Sequence, residues 1–255
     1  MLVEQRFEEI LKVVDDKGSI TVQELMELLD ASESTIRRDL TALHNSRRLI
    51  KVHGGAIALG SNYSTKDHDM ESRQSLNLDE KEKIGRYAAS QIQSNDFIYL
   101  DAGTTTECMI PYLNEMNELK DRSVTFVTNS ISIAKKLAQS NFTVYLIGGK
   151  LKFATEAIVG SEAVQNIMKY NFTKGFFGTN GIDVKLGLTT PDMNEATVKQ
   201  IAMTKCQKAF VLADSTKFNQ ISPITFADFR NTKIITTTLV EDKFKEFNNI
   251  LEVDS

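Results

Sequence analysis

From residue 97 onward the chain repeats one pattern. A short run rich in β-branched and aromatic residues stops at a small, polar or glycine-bearing loop, and an amphipathic stretch carries the chain to the next run. The runs span residues 97–100, 124–127, 143–147, 175–177, 209–213 and 233–236, with helical segments such as 81–92, 131–139 and 195–204 among them. Short apolar runs without polar alternation suit strands buried on both faces, and parallel strands need crossovers long enough to hold a helix. The pattern predicts an α/β domain, a mostly parallel sheet covered by helices.

The residues that follow the runs carry the chemistry. Asp101-Ala-Gly-Thr-Thr-Thr106 follows the first, Thr128-Asn129-Ser130 the second, Gly148-Gly149-Lys150 the third, Gly178-Thr-Asn-Gly181 the fourth and Asp214-Ser-Thr-Lys217 the fifth. Ligands of open α/β sheets bind outside the carboxyl ends of the strands, so these loops are expected to share one rim. Gly103 with Thr104, Thr105 and Thr106 offers backbone N–H groups and hydroxyls at the start of a helix, a setting that favours an anion such as phosphate. Lys150, Lys199 and Lys217 are candidate cations, and Asp101, Glu195 and Asp214 are candidate acceptors for sugar hydroxyls.

The first 58 residues follow a different rule. Phe7, Ile10, Leu11 and Val14 share one helical face, and that helix ends at Lys17-Gly18. Thr21 and Glu24 have capping-box spacing ahead of Val22, Leu25, Met26 and Leu29, which predicts a second helix. Ser32 caps a third through about residue 43, with Ile36, Leu40 and Leu43 as its inward stripe. Turned about 100° per residue, Ser34, Arg38 and Thr41 then point away from the stripe, with Thr35 and Arg37 at its flanks. Arginine bonds guanine bidentately, and hydroxyls reach phosphates or base edges, so this face suits a major groove. Residues 49–56 read as a short strand with a glycine tip. There Lys51 and His53 alternate with Ile50 and Val52, so one edge is expected to pack on the helices and the other, with Gly54, to meet a phosphate backbone. Three short helices and a basic hairpin describe a winged helix-turn-helix.

Charge supports that division. The whole chain carries −4, which argues against a nonspecific polyanion binder. Residues 1–30 hold three basic and eight acidic side chains, whereas residues 31–56 hold five basic and two acidic, so the cationic part is local. Polar residues 59–78 read as a linker, giving domains at 1–58 and 79–255. The acidic N-terminus lacks a signal-peptide pattern, and no stretch approaches the roughly 18 apolar residues of a membrane span, so a cytoplasmic protein without membrane contact is expected. Cys108 and Cys206 belong to no metal or redox spacing, and no metal site is expected.

Ser32-Glu-Ser-Thr-Ile-Arg-Arg-Asp-Leu40 followed by Lys51-Val-His-Gly-Gly-Ala56 resembles the signature of DeoR-family bacterial repressors, although that family commonly has glycine or asparagine where this chain has Arg47. The likeness continues through Asp101-x-Gly-Thr-Thr-Thr, Gly148-Gly149, Thr155-Glu156-Ala-x-Val-Gly160, Gly187-Leu-Thr-Thr-x-x-x-x-Glu195-Ala and Asp214-Ser-Thr-Lys217. It implies a sensor domain similar in fold to sugar-phosphate isomerases, binding a phosphorylated sugar as effector, with no cofactor. Operator DNA is the implied partner, and two half-sites imply a homo-oligomer, a dimer or higher. Tyr99-Leu-Asp-Ala-Gly-Thr-Thr-Thr with Thr189-Thr-Pro-Asp looks closest to the branch that represses fructose-uptake operons, which points to fructose 1-phosphate.

The alternative is an isomerase-like enzyme, in which Asp101, Glu156, Glu195, Lys199, Asp214 and Lys217 would supply acid–base chemistry. Residues 71–255 contain no histidine and no Walker-type loop, which excludes a Ser-His-Asp triad and a P-loop nucleotide site. An isomerase has no need of a fused DNA-binding unit. The expectation is therefore a regulator with no catalytic residues.

Overall fold

The computed structural model describes residues 2–46, 48–52, 55–58, 70–116, 123–184, 186–237, 244 and 246–253. They divide into two compact units: the described residues before 59 together with residues 71–78, and Met70 together with those from 79 onward.

In the first unit, α1 (Val3–Lys17) leaves its last turn through Gly18 at φ 77° and enters β1 (Ser19–Thr21). The capping box forms as the sequence predicts: the Glu24 amide donates to Thr21 Oγ1 at 3.1 Å and the Thr21 amide to Glu24 Oε2 at 2.8 Å, opening α2 (Val22–Leu29). Ser32 caps α3 (Glu33–Asn45). Ile36, Leu40 and Leu43 are fully buried against Ile10, Val14 and Leu25, so the apolar period sets which face of α3 is left outside. β2 (Leu49–Val52) and β3 (Gly55–Ala58) pair as an antiparallel hairpin, and β1 adds to β3 on its other side. That third strand is three residues long, too short for its alternation to show in sequence. Gly55 is required there, because a Cβ would come within 2.1 Å of the Ile20 carbonyl oxygen.

The expected faces of the wing strand are reversed. Leu49 is buried and Ile50 is exposed, so the period of two puts Lys51 on the inward side with Leu49. Burying Leu49 fixes this register, and Lys51 turns its ammonium onto α3. Arg47, His53 and Gly54 lie outside the described residues. Within the stretch read as a linker the chain forms α4 (Met70–Ser75), a single short helix whose one apolar residue gives no periodicity to read.

The second unit begins with α5 (Leu78–Ser90) and continues through β4 (Phe97–Leu100), α6 (Thr104–Glu107), α7 (Ile110–Glu115), β5 (Thr125–Thr128), α8 (Ile131–Gln139) and β6 (Thr143–Leu146). A hairpin of β7 (Lys150–Lys152) and β8 (Ala157–Val159) leads to α9 (Ser161–Ile167) and β9 (Phe172–Gly178). Then come β10 (Gly181–Asp183), β11 (Gly187–Thr190), α10 (Met193–Thr204), β12 (Cys206–Leu212), β13 (Ile224–Ala227), β14 (Lys233–Thr237) and β15 (Ile250–Val253).

Seven strands form one parallel sheet in the order β15-β14-β12-β9-β4-β5-β6. Alternate residues feed opposite cores. Tyr99, Val127, Phe177, Val211 and Ile234 pack towards α9 and α10, while Ile98, Phe126, Phe176, Phe210 and Ile235 pack towards α5, α7 and α8. Each fully buried aromatic contributes about 2–3 kcal/mol over its exposed state, so two faces of such residues fix the sheet as the central layer. The strand order reverses between β4 and β9, because the chain winds outward from β4 to β6 and then in the other direction from β9 to β15. In open α/β sheets that reversal opens a crevice at the carboxyl edge. The small antiparallel sheet β10-β11-β13 lies outside the predicted pattern.

Candidate functional site

On α3 the predicted outward face is outward. Ser34, Arg37 and Arg38 are exposed, and Thr35 and Thr41 are half-buried. Ser32 Oγ gathers the first turn, lying 3.1 Å from Ser34 Oγ and 2.9 Å from Thr35 Oγ1. Arg37 donates to Glu33 at 2.7 Å, an exposed pair one turn apart that any phosphate can displace at little cost. Thr41 Oγ1 donates to the Arg37 carbonyl and accepts from Lys51 Nζ, at 2.7 and 2.8 Å. Lys51 thereby ties the wing strand to α3. Arg38 is exposed and has no side-chain partner among the described residues, so its guanidinium is open to a ligand.

One residue pair behind this face escapes sequence reasoning. Arg6 of α1 and Asp39 of α3 form a buried ion pair, with a second hydrogen bond from Arg6 Nη2 to Asp39 Oδ1 at 3.2 Å. The hydrogen bond to Asp39 holds the Arg6 guanidinium even more firmly protonated than usual. The pair clamps α3 to α1, with Asp39 turned about 100° round α3 from Arg38.

The second constellation lies at the strand-order reversal. Asp101, fully buried just after β4, accepts from the Gly178 amide of β9 at 3.1 Å and pairs with Lys199 of α10. Its other oxygen, Oδ1, is buried and has no hydrogen bond among the described residues. Burial raises the Asp101 pKa above the usual carboxylate value, and Lys199 and the Gly178 amide only partly offset it. The next loop locks alongside: Asn129 Oδ1 accepts from the Ala102 amide at 2.8 Å, and Thr128 Oγ1 accepts from the Ser130 amide at 3.0 Å. Asn129 also exchanges backbone bonds with β8 through the Ile158 amide at 2.7 Å.

Gly103 precedes α6, and Thr106 Oγ1 donates to the carbonyls of Asp101 and Gly103, both at 2.8 Å, so this hydroxyl shapes the loop. With only four residues, α6 adds little macrodipole, and the anion-binding capacity rests on the first-turn amides and on Thr104 and Thr105. Both threonines are nearly buried and have no side-chain partner among the described residues.

Gly148, Gly149, Lys150 and Glu156 are exposed around the β7–β8 hairpin. Gly149 sits at φ 149°, and a Cβ would meet the Val159 carbonyl oxygen at 2.9 Å. The hairpin's inward cation is Lys152, which the sequence reading passed over. It pairs with Asp192 at 3.4 Å and Glu195 at 3.2 Å, and Thr155 Oγ1 donates to Glu195 at 2.5 Å. Asp192 caps α10 through the Asn194 and Glu195 amides. Burial works against its charge, but those amides and Lys152 outweigh it and hold its pKa below the usual value. An aspartate three residues before a glutamate at a helix start signals a cap; nothing in sequence says which lysine answers it.

Farther along the rim, Gly181 opens β10 beneath the loop after β9. Asp214 is fully buried after β12. Its Oδ1 accepts from the Thr216 amide at 3.1 Å and from the Thr216 hydroxyl, and its Oδ2 lies 3.9 Å from Lys217 Nζ. Burial disfavours the Asp214 carboxylate, yet Lys217, Lys81 and Thr216 overcome that and lower its pKa. The carboxylates thus differ in direction: burial raises the Asp101 pKa, while their hydrogen bonds and neighbouring lysines lower those of Asp192 and Asp214. The predicted cation Lys199 is spent on Asp101, and Lys217 is half-buried beside Asp214.

The chain matches the DeoR-like helix-turn-helix domain over residues 6–62 and the DeoR C terminal sensor domain over residues 76–238. The HTH-type transcriptional regulator FruR of Bacillus subtilis (strain 168), itself described as uncharacterized, is 40% identical over 247 residues, covering 97% of this chain and 96% of the relative. The lactose phosphotransferase system repressor of Staphylococcus aureus (strain N315) is 32% identical over 253 residues, 98% of each. Among solved structures, ribose 5-phosphate isomerase A from Methanocaldococcus jannaschii aligns with TM-score 0.42 and 17% identity, over 56% of this chain and 55% of that one. The Pyrococcus horikoshii OT3 translation initiation factor eIF-2B aligns with TM-score 0.45 and 13% identity, over 87% and 67%.

Proposed function

The chain belongs to the DeoR family of helix-turn-helix transcriptional regulators, and from that membership we propose that it represses a sugar-uptake operon and is released by a phosphorylated sugar. α3 enters the major groove with Arg38 at its centre, the hairpin that Lys51 braces against Thr41 of α3 meets adjacent phosphates, and the effector occupies the rim at the reversal between β4 and β9. The observation that carries this reading is Asp101: a buried carboxylate at that reversal, anchored by Lys199 and Gly178, with one oxygen left to accept a hydroxyl. Thr104, Thr105 and the amides after Gly103 suit the phosphate, and Lys217 lies on the same carboxyl edge of the sheet. Fructose 1-phosphate is the effector the loop sequences favour.

The reading needs no cofactor, places the protein in the cytoplasm with its DNA, and calls for at least a dimer to read two half-sites. Among the described residues no helix is long and apolar enough to cross a membrane. The ionisable groups an isomerase would use are committed to one another, Asp101 with Lys199 and Glu195 with Lys152, which suits holding a sugar better than moving its protons.

A thermal-shift series against phosphorylated sugars tests this, because a ligand that binds only the native chain raises its melting temperature. Fructose 1-phosphate is expected to raise it, to be recovered chemically unchanged, and to lose its effect in Thr105→Ala. Conversion of any sugar phosphate at an ordinary enzymatic rate would overturn the reading.

A further inference from the structure

The first turn of α5 meets the carboxyl edge of the sheet at a place the rim residues do not explain. Glu80, half-buried, takes three hydrogen bonds: from the Ser215 amide at 2.9 Å, the Ser215 hydroxyl at 3.1 Å and the Thr237 hydroxyl at 2.6 Å. Ser215 stands beside Asp214 in the loop after β12, and Thr237 ends β14. One carboxylate therefore fastens two neighbouring strand ends to one helix start. Lys81 beside it is buried, and its charge acts on Asp214 in the same loop. These bonds reach 135 and 157 residues along the chain, so they tie the start of α5 to two segments distant in sequence.

The position of α5 in the chain gives this its meaning. Residues 71–78 belong to the first compact unit, and residues from 79 onward to the second. Glu80 thus lies two residues past Leu78, in the first turn of the helix by which the chain passes from residues 71–78 of the first unit into the second. A ligand that draws on the Asp214–Lys217 loop shifts the group that Glu80 holds, and any shift of Glu80 moves the start of α5.

We propose that Glu80 is the positioning residue that couples the effector rim to the DNA-binding unit, by bonding the loop after β12 and the end of β14 to the first turn of α5. This rests on the reading of the chain as an effector-controlled DNA binder. Glu80 binds neither DNA nor effector. It sets whether one is felt by the other.

Linkage is reciprocal, so DNA must act on the loop as the loop acts on DNA, and the coupling can be read without the effector. The test uses the full chain and a DNA duplex enriched from a random-sequence pool against the wild type, with hydrogen exchange measured with and without duplex. In the wild type, duplex is expected to change exchange about fivefold or more in peptides covering 78–84 and 212–217. Glu80→Gln is expected to bind the same duplex with unchanged Kd while the change at 212–217 disappears, and Glu80→Asp to restore part of it. The pair Ser215→Ala with Thr237→Val removes two of the three bonds without touching α5 and gives the same loss should Glu80→Gln fold poorly. An unaltered response at 212–217 in both sets of variants would overturn the proposal, as would a wild type with no response there. Failure to enrich any duplex is a separate result, which would refute the DNA-binding reading and this inference with it.

Discussion

At the residue scale the first unit separates charge left exposed from charge that holds the fold. Arg38 is exposed and has no side-chain partner among the described residues, whereas Arg6 is buried against Asp39. Removing the charge of one member leaves the other buried and under-satisfied. Asp39→Asn is therefore expected to weaken the first unit by about 2 kcal/mol, which raises hydrogen exchange in residues 3–45 about thirtyfold and leaves residues 97–237 unchanged. Equal effects on both units, or none, would contradict the clamp. The outward residues were legible because one helical period names them all. The Arg6–Asp39 pair was not, since 33 residues separate two charges that in sequence look like ordinary surface groups. Asp101 was legible as the polar residue closing a strand. Lys152 was not, because the chain offers several lysines near that hairpin and only the fold chooses one.

At the scale of elements, α1, α2 and α3 and six of the seven parallel strands follow from apolar periodicity, with ends displaced by up to three residues. β15 and the small sheet β10-β11-β13 did not, for a physical reason. Gly181–Asp183 and Gly187–Thr190 are short, rich in glycine and threonine, and take their pairing from one another rather than from a patterned core. The wing strand shows a subtler failure: its alternation is visible, but its phase is set by the burial of Leu49, which puts Lys51 and not Ile50 on the inward side. α10 supplies the element-scale prediction. Asp192 caps it with a depressed pKa, so its contribution is complete above the unfolded value of about 3.9 and is lost as pH falls through the lower folded value. Asn also caps helices, so Asp192→Asn removes the charge and keeps the cap. The melting-temperature gap between wild type and this variant is expected to be constant above about pH 5 and to close below about pH 3.9. A gap that persists unchanged through that window would show that the charge is not what stabilises the helix.

At the scale of the whole molecule, one chain joins a cationic helix face to a sheet whose loops converge where the strand order reverses. Either part alone has many uses. On the function proposed above, a small anion and a DNA duplex compete through the polypeptide that links the two parts, with a coupling of the usual 1–3 kcal/mol expected. The most direct measurement is fluorescence anisotropy of an enriched duplex with the full chain at fixed salt, titrated with and without fructose 1-phosphate, and with Arg38→Ala as control. Tight binding by the wild type is expected, with loss of binding by Arg38→Ala without loss of the ligand-induced thermal shift, and a Kd raised about fivefold or more by the sugar phosphate. A duplex affinity that the sugar phosphate leaves unchanged although it binds, or that survives Arg38→Ala intact, would contradict the proposed function.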